Sequence, residues 1–164
     1  MALTQFEAWL YLPFVIPLCF YTAFTDLREM RITNQTVVAL ALLFVPLGLI
    51  ALPFDVFLWR LAQLLVVLLV GMIFNAAGAV GAGDVKFAAA AAPFVALGDL
   101  QMVLIILAAS LLAAVAAHRL ARRTKLRDLA PHWESWNRGR DFPMGLALGG
   151  TLAIYLCFGA IMGS

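Results

Sequence analysis

The sequence predicts an all-α, polytopic membrane protein of about six transmembrane helices, and three observations carry that prediction. First, the chain of 164 residues is 65% hydrophobic and only 12% charged, against roughly 45–50% and 25% in a soluble domain. A chain of this size buries only about 70% of its surface on folding, so the apolar excess does not fit in one soluble core. Second, charge-free runs recur at lengths near the roughly 20 residues a helix needs to cross hydrocarbon. Third, Lys and Arg gather in alternate connections between those runs. This composition excludes an ordinary cytosolic enzyme, a nucleic-acid-binding domain and a disordered linker. The net charge of +2 says little until its distribution is read.

Residues 8–25 form the first run, ended by Asp26, and residues 32–54 the second, ended by Pro53 and Asp55. Residues 61–83 form the third, up to Asp84. Residues 100–117 follow Asp99, and residues 142–164 close the chain. Between Asp84 and Asp99 only residues 87–98 are free of charge, about 18 Å as a helix and too short alone. This piece spans only if it begins near Ala82, with Asp84 in its first turn. The rival arrangement merges it with the next run, giving five spans and a buried Asp99.

Charge bias decides between six and five. With six, the first, third and fifth loops share a side and hold ten of the eleven Lys and Arg residues, the expected cytoplasmic excess. With five, the most basic loop lies opposite the other two. Six spans place both termini outside. Glu7 is the only charged side chain before the first run, and without a basic region there a cleavable signal peptide is not expected. The chain reads as a single membrane domain, 1–164, with one cytoplasmic basic loop at about 118–141. Pro13, Pro17, Pro46 and Pro93 fall within spans and would kink or loosen them. Cys19 and Cys157 read as small buried hydrophobes, not as a disulfide or metal site.

Asp26 and Asp84 are the residues to weigh for chemistry. Both end an apolar run on the expected cytoplasmic side, and an ionisable group at membrane depth is a functional candidate by default. Two carboxylates close together in a low-dielectric site share a proton. One can then activate water while the other protonates a carbonyl oxygen or leaving amine. A single Asp at such a boundary has a plainer reading, helix capping, which suits Asp55 and Asp99 in short outer turns. Around Asp84 the segment runs Gly81-Ala82-Gly83-Asp84-Val85-Lys86, and a chance Gly-x-Gly-Asp is expected about 0.03 times in such a composition. The two glycines would permit a tight turn or close approach of an extended substrate. Neither a phosphate loop nor a dinucleotide fingerprint is present. Asp26 leads through Arg28, Glu29 and Arg31 to Asn34, a candidate helix N-cap.

Together, residues 26–34 and 81–86 resemble the type IV prepilin peptidases, polytopic aspartyl proteases of the Gly-x-Gly-Asp class. In that family one Asp precedes a short cytoplasmic loop ending in Ile-Pro-Asn or similar, and the second lies in Gly-x-Gly-Asp-x-Lys. Phe142-Pro143-Met144-Gly145-Leu146-Ala147 resembles the start of the family's last helix, written Pro-x-Gly-x-Ala. Thr33 stands where proline is usual, which is expected to loosen the turn. The paired Cys-x-x-Cys motifs of the longer, methyltransferase-bearing members are not seen. The chain is therefore most similar to the short form associated with tight-adherence pili, or to archaeal relatives that process preflagellins.

The resemblance implies an aspartic endopeptidase of the cell inner (cytoplasmic) membrane, acting in pilus biogenesis and protein secretion. It would remove a short basic leader from a prepilin or pseudopilin at the cytoplasmic face, usually just after a glycine. Asp26 and Asp84 would be the catalytic pair, and Gly81, Gly83, Lys86 and Asn34 motif-supporting or substrate-binding residues, with no metal and no cofactor. The rival from another class is a small proton- or cation-coupled transporter or channel using the same two carboxylates. Acids at one face and the lack of an internal repeat weigh against it.

The remaining polar features have plainer readings. Residues 118–141 carry seven basic side chains, suited to anionic headgroups, with Leu120, Leu126, Leu129, Trp133 and Trp136 available to the interface. A basic loop would repel a basic leader, which argues against direct leader binding there. His118 and His132 lack a metal set. Gln63 and Asn75 read as interhelical hydrogen-bonders.

Overall fold

The computed structural model describes residues 1–124, 131–136 and 142–163. They form six α-helices: α1 (Gln5–Glu29), α2 (Asn34–Ala51), α3 (Phe54–Ala76), α4 (Ala82–Ala91), α5 (Leu100–Arg123) and α6 (Met144–Met162). No strand occurs among the described residues. Five segments are long and apolar enough to cross a membrane: α1, α2, α3, α5 with the turn before it, and α6.

Local sequence sets the helix ends. α1 opens on a reciprocal cap in which Thr4 Oγ1 accepts from the Glu7 N–H at 3.2 Å and Glu7 Oε2 from the Thr4 N–H at 2.7 Å. It ends at Met30, a left-handed residue (φ 50°) whose N–H bonds the Asp26 carbonyl. α2 starts one residue earlier than expected. Thr33 is its N-cap, accepting from the Thr36 N–H, and Asn34 is the first helical residue. Thr33 thus caps a helix instead of loosening a turn. Pro13, Pro17 and Pro46 sit inside continuous helices. Pro93 does not: α4 gives way there to two 3-10 turns, Ala92–Phe94 and Leu97–Asp99.

α4 is about 15 Å long, yet the stretch from its start to Asp99 runs the full bundle. At one end α4 begins beside the close of α1 and the start of α2, where Lys86 bonds Asn34. At the other, Asp99 accepts from the Ala2 and Leu3 N–H groups at the head of α1. The chain therefore makes six passes of the bundle, five on long helices and one on a short helix plus turns. The carbonyls released by the break at Pro93 are met by α3: Arg60 Nη1 donates to the Pro93 oxygen at 3.3 Å. The Gln63 amide, oriented nitrogen inward, donates to the Ala92 and Val95 oxygens at 3.2 Å. Gln63 is thus an interhelical hydrogen-bonder. Among the described residues the Asn75 side chain bonds the Val80 carbonyl in the turn after its own helix and no other helix, against the interhelical expectation.

Asp99 also departs from expectation. It is 6% exposed, makes no cap bond to its own helix, and accepts from Tyr155 Oη at 2.9 Å besides the two N-terminal amides. Cys19 is buried, but Cys157 lies on the outer surface. The most extensive helix pair is α1 with α6, where small residues let backbones approach closely. A Cβ on Gly149 would lie 2.8 Å from the Cys19 carbonyl oxygen.

Candidate active site

A cavity of about 680 Å³ opens at the end of the bundle where α1 closes and α2, α4 and α6 begin. The six residues expected to form the pair and its supports all line it: Asp26, Asn34, Gly81, Gly83, Asp84 and Lys86. Asp26 reaches it from the last turn of α1, Asp84 from the first turn of α4. Asp26 is 5% exposed, and its Oδ2 accepts from the Gly145 N–H at 2.6 Å. Gly145 belongs to the first turn of α6, whose N-cap is Pro143 with no side-chain cap bond. Asp26 supplies that missing acceptor from another helix.

Asp84 precedes the charge-free residues 87–98 and lies outside the five long apolar helices. Burial, then the charge of nearby Asp26, raise its carboxyl from 3.8 to about 6, against a hydrogen bond from the Gly81 backbone that lowers it. The pair is thus close enough to couple electrostatically, and the Asp84 carboxyl is pushed up to about 6.

Gly81 and Gly83 stand in different surroundings. Neither uses a left-handed backbone; among the described glycines only Gly78 does. Gly81 makes room for the carboxyl, since a Cβ there would lie 2.7 Å from Asp84 Oδ2. Gly83 faces Ile32 at 3.4 Å from its would-be Cβ, ordinary contact. Lys86 Nζ donates to Asn34 Oδ1 at 3.1 Å, joining the two segments across the rim. Arg28 pairs with Glu29 at 3.7 Å, both well exposed.

Two contributors escaped the sequence reading. Arg31, which enters there only through the charge bias and its place before Asn34, lines the cavity. Gly145 was noted only as part of a helix start, because a backbone N–H donor leaves no signature in residue type. Beside the cavity, Phe142 meets His118 edge-on at 6.0 Å, and His118 stacks on Trp136 at 5.0 Å. Trp136 is buried, so it is not available to a lipid interface; Trp133 packs edge-on against Phe24. α5 continues through Arg123, which puts His118, Arg119 and Arg122 on a helix. Lys125, Leu126, Arg127, Asp128, Leu129, Arg138, Arg140 and Asp141 lie outside the described residues. No group of three or more potential metal ligands occurs among the described residues.

Residues 13–118 match the model of the type IV leader peptidase family. No curated protein and no solved structure matches the chain.

Proposed function

This chain belongs to the type IV leader peptidase family, and from that premise we propose that it is an aspartic endopeptidase with Asp26 and Asp84 as its catalytic pair. One observation carries the assignment. Two acids 58 positions apart line a single cavity, and the charge of one raises the carboxyl of the other. Such a pair holds one ionised and one protonated member at working pH, which amide hydrolysis requires.

The ionised carboxylate takes a proton from water as the water oxygen bonds to the scissile carbonyl carbon, and the protonated one gives its proton to the carbonyl oxygen. When the C–N bond breaks, the first carboxyl returns its proton to the departing nitrogen. A hydroxyl of the intermediate reprotonates the second, and the pair is restored.

The substrate we infer is a prepilin or pseudopilin with a short basic leader, cut at the cytoplasmic face of the inner membrane. The charge distribution supports that face: ten of the eleven Lys and Arg residues lie at the helix ends and connections that six passes put on the side of Asp26 and Asp84. Lys86 and Asn34, bridged at the cavity rim, would contact the substrate on this reading. Anionic headgroups would meet the basic residues after His118. The transporter reading draws less support, because Val15, Leu40, Phe44 and Phe87, in the interior beyond the pair, are apolar and fully or almost fully buried.

The test is cleavage of a candidate prepilin by wild type, Asp26→Asn and Asp84→Asn in proteoliposomes. Wild type is expected to release the leader and each variant to lose cleavage by at least about a thousandfold while still inserting normally. Full activity in either variant would sink the pair.

A further inference from the structure

The start of α6 reaches the proposed centre through Gly145, outside the residues matched to the family. Three observations make this contact more than packing. The donor is a backbone N–H, which cannot accept, so Asp26 Oδ2 is committed to the acceptor role at 2.6 Å. The amide belongs to the first turn of a 19-residue helix with no cap of its own, the end of a helix that attracts negative charge. And only glycine fits: a Cβ would lie 2.9 Å from Asp26 Cβ and 3.0 Å from Oδ2.

We propose that Gly145 is a positioning residue of the catalytic centre, its N–H anchoring Asp26 through Oδ2 so that Oδ1 is the oxygen that exchanges the proton. Among the described residues no donor reaches Oδ1. The proposal rests on the reading of Asp26 as one of the pair. It adds that α6, the helix farthest along the chain from Asp26, fixes which face of that carboxyl does chemistry. A carboxylate free to rotate would present either oxygen to water. Anchored at Oδ2, it presents one.

A bulk-free deletion of the N–H tests this. Cell-free translation with the hydroxy-acid analogue of glycine at position 145 replaces the 144–145 amide by an ester, in full-length protein carried in nanodiscs. In an Asp84→Asn background, the Asp26 carboxyl is followed by infrared spectroscopy against pH, its band identified by loss in Asp26→Asn. Losing one hydrogen bond to a charged group raises the ionisation midpoint of Asp26 by about one to two pH units. With Asp84 intact, the ester protein is expected to cleave a prepilin about ten- to a hundredfold more slowly in kcat, with KM little changed. Gly145→Ala, which crowds the same carboxyl, is expected to lose at least as much. An unmoved midpoint overturns the anchor, and an unmoved kcat in a protein whose midpoint has shifted overturns the positioning role. Wild-type cleavage reports on the peptidase reading and the infrared midpoint on Gly145, so the two fail separately.

Discussion

Arg60 and Glu7 form an ion pair at 3.6 Å, both nearly fully buried, at the end of the bundle opposite Asp26. The pair ties the head of α1 to α3, and Arg60 also holds the Pro93 carbonyl at the break after α4. Breaking a buried pair leaves a charge without a partner, which costs about 3–5 kcal/mol. Arg60→Met is therefore expected to lose that much in an unfolding titration in mixed micelles. The double variant Glu7→Gln with Arg60→Met is expected to recover part of it, because no lone charge remains while the Pro93 carbonyl still lacks its donor. A double variant as unstable as the single one would show that packing, not charge, dominates.

Asp99 gathers the Ala2 and Leu3 amides and the Tyr155 hydroxyl, while Tyr155 Oη accepts in turn from the Ala96 N–H at 3.1 Å. Tyr155→Phe leaves that buried amide unsatisfied and is expected to cost about 1–3 kcal/mol in the same titration. The network lies at the far end from the cavity, so the rate per folded molecule should stay within about twofold of wild type. A large rate loss in a stable protein would contradict this separation.

These two ends were unequally legible in the sequence. Asp26 and Asp84 stood out because charge is scarce and because each sits in a recognisable segment. Arg60 and Asp99 stood out equally as charges, but a charge at a span boundary looks the same whether it caps a helix or is buried in a network. Only the Glu7–Arg60 contact from α1 to α3 and the bonds of Asp99 to the head of α1 and to Tyr155 on α6 separate the two cases. The six-pass arrangement was legible from charge bias and from the requirement that the fourth pass begin near Ala82. Its completion by two 3-10 turns was not. That depended on Arg60 and Gln63 meeting the carbonyls freed at Pro93, a tertiary rescue of a local break. Gly145 was least legible of all, because its contribution is a backbone N–H and the lack of a Cβ.

The tight face of α6 gives a paired test within two adjacent residues. A Cβ on Gly149 would lie 2.8 Å from the Cys19 carbonyl oxygen, whereas one on Gly150 meets nothing within 4 Å. Gly149→Ala must push α1 and α6 apart and is expected to destabilise by about 1–3 kcal/mol. Gly150→Ala fills open space in a helix and is expected to be neutral or to stabilise by up to about 1 kcal/mol. Equal effects at the two positions would contradict the close approach of the two helices.

The proton on Asp84 supplies the last prediction. Burial is the larger cause of its rise to about 6 and the Asp26 charge the second. In the folded protein Asp84 therefore holds a proton between pH 3.8 and about 6 that the unfolded chain has released. Its contribution to stability is complete below that window and is lost as pH rises through it. Asp26→Asn removes the second cause and leaves the first, so the Asp84 midpoint should fall below 6 yet stay above 3.8 in a carboxyl infrared titration. Gly81→Ala moves it the other way, because the new Cβ displaces Oδ2 and weakens the hydrogen bond that favours the ionised form. An Asp84 midpoint that ignores Asp26→Asn would mean the two carboxyls are electrostatically independent, and a shared proton could then no longer account for catalysis at this cavity.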